Sequence, residues 1–459
     1  MLDFPVCQRH QPAAFGIGWA KPIGLQKGAR PMDYLWIRGG RPLAGEIVCQ
    51  GAKNSVLPLL AGAIVFRQGC RIHNCPQLTD VEAALAILTR LGCRVRRTGG
   101  TVEVDPTGLT GNRIPRALMG AMRSSVLFLG PLLARTGSCC LCQPGGCPLG
   151  SRPIDLHLLG LQALGAEVER AEGWLYCRGK LRGAAITLPF PSVGATENLI
   201  LAALGAEGTT TIYNAAREPE VADLIAMLSA GGANIAGGGS AMLQITGGLP
   251  QWAEYRVMPD RMAAATYLCA AAGTGGELRL LEAEPRHLQP VLQALTAAGC
   301  TISPGAGELH LKAPARLKAV SPVRTAPYPG FPTDAQAPLM AALARSRGVT
   351  VFEENVFASR YGHVPALQAM GANIRTAGAV AALTGVPELH GAQVEATDLR
   401  GGAAMVIAAL QARGISRIGG LAHLNRGYAD FPRQLELLGG DVKLERRGLP
   451  DELGRTEPA

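Results

Sequence analysis

Leu161-Gln162-Ala163-Leu164-Gly165-Ala166-Glu167-Val168 decides the fold. An apolar helical run meets a glycine and turns at once into a strand. Glycine tolerates the left-handed conformation that closes a helix, so Gly165 reads as a helix C-cap. The signature recurs at Leu91-Gly92-Cys93-Arg94-Val95, Gly231-Gly232-Ala233-Asn234-Ile235 and Ala298-Gly299-Cys300-Thr301-Ile302. It returns again at Met370-Gly371-Ala372-Asn373-Ile374 and Leu438-Gly439-Gly440-Asp441-Val442. These glycines stand 73, 67, 67, 72 and 68 positions apart.

A second signature alternates with the first, an Ala/Leu-rich helix ending in glycine before a β-branched strand. Its copies start near Lys53, Arg123, Ala195, Met262, Ala335 and Gly401, and end at Gly69, Gly137, Gly208, Gly276, Gly348 and Gly414. Runs such as Leu199-Ile200-Leu201-Ala202-Ala203-Leu204 are apolar on nearly every side, which predicts buried helices. Each unit therefore holds one buried helix, one amphipathic helix and several short strands. A chain of 459 residues is too long for one core, so six units make two domains of three. The period exceeds that of solenoids, which favours duplicated globular halves of α/β class.

Net charge is +9, but no run of five like charges and no ribbon of aromatic and basic residues occurs. That argues against nucleic acid. Single arginines suit small phosphates and carboxylates. Among 12 cysteines, Cys139, Cys140 and Cys142 fall in a strand-like run, and no second cluster completes a zinc site. Reduced buried thiols are expected, and no metal. No stretch of 18 apolar residues predicts a membrane span. Residues 1–31 lack periodicity and signal-peptide order and are expected to be a flexible extension. Leu35-Trp36-Ile37 opens the first strand.

The repeat also arranges the charges. Lys53-Asn54, Arg123-Ser124, Gly194-Ala195-Thr196, Asp260-Arg261, Asp334 and Asp398-Leu399-Arg400 head the buried helices. Asp80, Cys147 with Arg152, Arg217-Glu218, Arg360 with His363, and Arg426 head the amphipathic ones. Helix N-termini favour anions, and arginines there are otherwise out of place. If the units are related by rotation, these starts converge into an anion-binding cleft. Capping alone suits Asp80. Cys147 lies in the glycine-rich run Pro144-Gly145-Gly146-Cys147-Pro148, five residues before Arg152. A thiol beside a cation on a mobile turn is placed for chemistry on an anion.

These residues carry a resemblance. Gly51-Ala52-Lys53-Asn54, the segment from Pro144 to His157, Ser192-Val193-Gly194-Ala195-Thr196 and Asn214 to Glu220 all contribute. So do Pro259-Asp260-Arg261, Arg324 to Pro327, Phe331 to Asp334, Ala396 to Arg400 and Arg426-Gly427-Tyr428. The chain resembles the UDP-N-acetylglucosamine 1-carboxyvinyltransferase family from about Asp33 to Glu445. The resemblance implies a two-domain inside-out α/β barrel with helices inside. It sets the first domain at 53–257 and the second at 32–52 plus 258–459, with a disordered tail from about 446.

The implied reaction moves the enolpyruvyl group of phosphoenolpyruvate to the 3-hydroxyl of UDP-N-acetylglucosamine and releases phosphate. It needs an acid, a base and several cations, but no cofactor. By resemblance Cys147 is the acid and Asp334 the base. Lys53 takes part in catalysis and, with Arg152, Arg360, Arg400 and Arg426, holds phosphoenolpyruvate. Asn54, Arg123, Pro153, Ile154, Asp155, Leu156, Ser192, Val193, Gly194 and Val356 meet the nucleotide sugar, as does Asp334. A cytoplasmic monomer and a target of the phosphonate epoxide fosfomycin are implied too.

Three positions depart from the family. Ala263 and Asn425 stand where acids are usual, and Phe357-Ala358-Ser359-Arg360 replaces Phe-Glu-Asn-Arg. Their loss is expected to leave nearby arginines less neutralised. Two alternatives remain beside the main reading. The shikimate-pathway enolpyruvyl transferase shares the chemistry but lacks the cysteine loop. A weakened paralogue would bind nucleotide sugar as a regulator.

Overall fold

The computed structural model describes residues 33–142, 144 and 154–445. The expected N-terminal extension, the tail from 446, and Cys147, Arg152 and Pro153 lie outside the described residues.

The six repeat glycines all have positive φ, from 83° at Gly439 to 103° at Gly299. Each follows an amphipathic helix: Thr79–Arg90, Asp155–Ala163, Pro219–Ala230, Gln289–Ala297, Val364–Ala369 and Phe431–Leu437. Side chains other than glycine are strained at that φ, so the signature marks where the chain must turn left-handed to enter a strand.

The six apolar helices are Lys53–Gly62, Leu129–Thr136, Val193–Ala203, Arg261–Thr274, Thr333–Ala342 and Leu399–Gln411. They are buried along almost their whole length. The copy expected near Arg123 differs. Arg123–Phe128 is a 3-10 turn and the α-helix begins only at Leu129. Two features explain this. Pro131 has no N–H to bond back along the helix. Asn198 takes both the Gly130 N–H and the Val126 carbonyl, which an α-helix would have paired with each other. In the fourth copy Gly275, not Gly276, carries the left-handed turn, with φ 72°.

Six small sheets surround these helices among the described residues, and they share one plan. In one, Arg94–Thr98 pairs antiparallel with Thr101–Asp105, which pairs antiparallel with Gly69–His73. Trp252–Arg256 adds a parallel strand at the far edge. The sheet of Ser138–Cys142 has three strands and a single parallel bridge from Cys140 to Arg113. The remaining sheets keep the order, but two borrow from the start of the chain. Ala44–Val48 is the parallel edge beside Glu277–Leu281. Tyr34–Arg38 sits antiparallel between Ile415–Gly419 and Asp441–Glu445.

Two hydrophobic cores result. One runs from Ala52 to Met258. The other joins Leu35 to Cys49 with Ala263 to Val442. Helices of the second core pack on one another through alanines, as where Thr333–Ala342 meets both Arg261–Thr274 and Leu399–Gln411. Small side chains let these backbones approach closely. Interiors pack to crystal density, so the alanine content is part of the architecture.

The ten described cysteines are buried. Burial pushes the thiols of Cys70 and Cys177 up to about 12. No helix among the described residues is long and apolar enough to cross a membrane. None of their His, Cys, Asp and Glu side chains gather in threes that could hold a metal ion.

Candidate active site

Between the two cores lies a cleft of about 620 Å³. The starts of several helices line it, at Asn54, Asp155, Val193, Arg261 and Asp334, whereas Lys53, Asp80, Arg360, Arg400 and Arg426 are not among its lining residues. The first core contributes Asn54, Arg123, Asp155, Leu156, Ser192, Val193 and Gly194. The second contributes Asp334 and Val356. Ile154 packs against the first core beside them.

Local chemistry positions these side chains. Ser192 caps its helix, accepting the Ala195 N–H at 3.4 Å. Asp398 caps another, accepting from Arg400 and Gly401, both at 3.0 Å. Asp260 caps a third through Met262 and Ala263, and its other oxygen accepts the Lys53 backbone N–H at 3.1 Å. That bond ties the first turn of one core to the other.

Asp334 is not spent on capping. Its Oδ1 accepts from Arg360 at 2.7 Å and its Oδ2 from Arg400 at 3.2 Å. Arg400 also donates to the Tyr428 hydroxyl at 3.0 Å. Tyr428 is fully buried, stacked on Phe431, and meets Thr266 at 2.9 Å. One guanidinium is thereby fixed from two sides.

Asp80 corrects the capping expectation. Its helix has no side-chain cap bond. Instead Asp80 meets Lys53 Nζ at 2.8 Å and takes a two-pronged contact from Arg426, at 2.9 and 3.1 Å. Burial alone would raise the Asp80 pKa, but Lys53 and Arg426 bring it below its ordinary value. Burial lowers the Lys53 pKa, against Asp80, and Arg426 and Arg400 press it further down. Lys53, Arg400 and Arg426 thus form one cationic cluster with contributions from both cores. Of the expected anion ligands, Lys53, Arg360, Arg400 and Arg426 are all buried or half-buried around it.

A second group at the cleft is acidic. Glu220, from the first core, pairs with Arg261 of the second at 2.9 and 3.0 Å. Glu218 accepts the Tyr328 N–H at 3.1 Å, again across the cores. Glu197 is fully buried, and one of its oxygens has no partner. Burial, then Glu220 and Glu218, push its pKa far above the carboxylate range. The Arg217-to-Glu220 motif signalled this place, but its spacing gives no hint of which acid faces inward. Arg217 in fact turns away, donating to Gly239 O at 3.3 Å.

Cations outnumber carboxylates around Asp334 and Asp80: Arg360 and Arg400 share the first, and Lys53 and Arg426 share the second. Arg261, Arg360, Arg400 and Arg426 each meet a carboxylate. Ala263 is fully buried in a first helical turn, where a longer acidic side chain would have to share space with that core. Ala358 and Asn425 are exposed, and Asn425 contributes its carbonyl to the Thr79 N–H at 3.2 Å. Sequence reading missed His157, whose ring lines the cleft beside Arg123. His157 closes the Cys147 segment in the sequence, but nothing in its spacing tells inward from outward.

Similarity to known proteins agrees with this geometry. Residues 37–435 match the family model of EPSP synthase (3-phosphoshikimate 1-carboxyvinyltransferase). UDP-N-acetylglucosamine 1-carboxyvinyltransferase 2 of Caldanaerobacter subterraneus subsp. tengcongensis is 44% identical, covering 90% of this chain and 99% of its own length. The UDP-N-acetylglucosamine 1-carboxyvinyltransferase of Gloeobacter violaceus is 46% identical over 89% of this chain and 90% of its own. The enolpyruvyl transferase NikO from Streptomyces tendae has a crystal structure that superposes with a TM-score of 0.82. It is 26% identical and covers 91% of this chain and all of its own. EPSP synthase from Acinetobacter baumannii shares the fold at TM-score 0.69 and 20% identity, over 90% of this chain and all of its own. With helices enclosed by six like sheets and a cleft between two cores, the chain belongs to the UDP-N-acetylglucosamine 1-carboxyvinyltransferase family of enolpyruvyl transferases.

Proposed function

We propose that this enzyme transfers the enolpyruvyl group of phosphoenolpyruvate to the 3-hydroxyl of UDP-N-acetylglucosamine, releasing phosphate. That is the first committed step of peptidoglycan precursor synthesis, in the cytoplasm. The observation that carries it is Asp334, which lines the cleft with both carboxylate oxygens held by buried guanidiniums.

The sugar oxygen attacks C2 of phosphoenolpyruvate as C3 takes a proton. The tetrahedral adduct then loses a C3 proton and phosphate. Asp334 accepts the hydroxyl proton. Arg360 and Arg400, which now hold Asp334, turn to the phosphoenolpyruvate anion with Lys53 and Arg426, freeing a carboxylate oxygen. Cys147 delivers the C3 proton, and Arg152 adds a further charge. Arg123, Asn54, Val356 and the stretches 153–156 and 192–194 hold the nucleotide sugar. Residues 53–257 and 32–52 with 258–459 are the two domains that close on it.

Phosphate release tests the reading. It should require both phosphoenolpyruvate and UDP-N-acetylglucosamine, and fosfomycin should alkylate Cys147 in preference to the buried cysteines. Release with shikimate 3-phosphate as acceptor, or nucleotide-sugar binding with no release, would overturn it.

A further inference from the structure

Asn198 is fully buried in the helix Val193–Ala203 and joins it to two other elements. Its Oδ1 accepts the Gly130 N–H at 2.5 Å. A backbone N–H only donates, so that side-chain atom must be the oxygen. The amide nitrogen then donates twice, to Val126 O at 3.0 Å and to His157 Nδ1 at 2.9 Å. Nδ1 is therefore the acceptor, and a neutral ring carries its one proton on Nε2.

The surroundings keep the ring neutral. Burial, and then Arg123, bring the His157 pKa down to about 4, with Asp155 opposing. Those two are the charged groups acting on the ring among the described residues. The helix Val193–Ala203 offers it the uncharged Asn198, and burial pushes the pKa of Glu197 next along well above the carboxylate range. The Nε2 edge lies against Gly194: a Cβ on that residue would stand 3.4 Å from Cε1 and 3.6 Å from Nε2. The ring lines the cleft where Arg123, Ser192 and Val193 also do.

We infer that Asn198 is a positioning residue that fixes His157 as an uncharged Nε2–H donor, aimed at an oxygen acceptor of the bound nucleotide sugar. The choice of ligand rests on the function proposed above. The division of labour is physical. Arg123 supplies charge, and a neutral N–H supplies direction without adding a second cation to a half-buried wall. Locking the tautomer in advance removes the cost of reorganising the ring when ligand arrives.

Substituting Asn198→Asp inverts the logic. The carboxylate can still accept from Gly130, but its second oxygen also accepts. Nδ1 must then bear the proton, and a neutral ring loses its Nε2–H. An imidazolium regains it. The variant should bind UDP-N-acetylglucosamine about ten-fold more weakly than the parent at pH 8, the worth of one hydrogen bond. The deficit should shrink as pH falls and the ring charges. A loss of packing alone would give a deficit that pH does not move.

Two further measurements guard against a variant that fails to fold. His157→Gln keeps an N–H near the Nε2 position and should bind within a few-fold of the parent. His157→Asn does not reach, and should show the full ten-fold loss. In the parent without ligand, ¹⁵N spectra should show a protonated Nε2 and a bare Nδ1. Repeating the titrations with UDP locates the acceptor: an equal deficit assigns it to the nucleotide, and a deficit only with the intact ligand assigns it to the sugar. Protonation at Nδ1, or equal losses for Gln and Asn, would overturn the inference. Failure of the parent to bind UDP-N-acetylglucosamine would instead overturn the proposed ligand and leave the tautomer standing.

Discussion

Neither oxygen of Asp334 is idle, and that shapes what its removal does. Truncation to alanine would leave two buried guanidiniums facing an empty place, which costs stability as well as chemistry. Asp334→Asn keeps the shape and one acceptor. Turnover should fall on the order of a hundredfold or more, as for loss of a general base, while nucleotide-sugar affinity falls much less. A steady-state assay beside direct calorimetric binding checks the split. Glu197 makes a different prediction. Burial raises its folded pKa well above the unfolded 4.5, so its stabilising contribution is complete below that pH and lost as pH rises toward the folded value. Glu197→Gln should match the parent near pH 4.5. It should then gain about 1.4 kcal/mol per pH unit above it until the folded parent itself ionises. Urea titrations at pH 4.5, 6 and 7.5 read this, and a gap that does not change with pH would refute it. Asp334 was legible because a motif surrounds it. Asp80 was not, because a helix-terminal aspartate looks like a cap whether or not a lysine and an arginine claim it.

Elements were the most legible scale, for a local reason. A glycine at positive φ is required by the turn itself, so the requirement shows in sequence at every copy. The requirement is also graded. Beside Gly439 a Cβ would meet nothing within 4 Å, whereas beside Gly92 it would press on the Gly108 carbonyl oxygen. Gly439→Ala should therefore cost about 1 kcal/mol from backbone strain alone. Gly92→Ala should cost clearly more. Chemical denaturation of the two variants ranks them, and the reverse order would contradict the packing. What sequence could not show at this scale is the short helix Leu129–Thr136. The residue that unravels its first turn, Asn198, lies on another helix.

Across the whole molecule, the two cores are joined by charges that no period reveals. Glu220 and Arg261 are 41 positions apart, and Asp80 and Arg426 are 346 apart. Such pairs are set by how the cores face each other, which neither repeat encodes. The buried Glu220–Arg261 pair should matter most when broken on one side only. Glu220→Gln leaves the Arg261 guanidinium without its counter-charge and should cost about 3–5 kcal/mol, read as a lower denaturation midpoint. A double change that replaces both partners with apolar groups should recover much of that loss.

The borrowed strand Tyr34–Arg38 has a consequence of its own. Tyr34 and Glu445 are direct partners in the last sheet, so the described chain closes on itself like a clasped bracelet. Antiparallel neighbours can be joined by a turn of two residues. A polypeptide with those two positions linked, and opened instead in an exposed turn such as the one between Thr98 and Thr101, would keep every strand beside the same neighbours. Six sheets in a closed circuit carry no intrinsic first member, and the arrangement of the cleft does not depend on where along that circuit the ribosome starts.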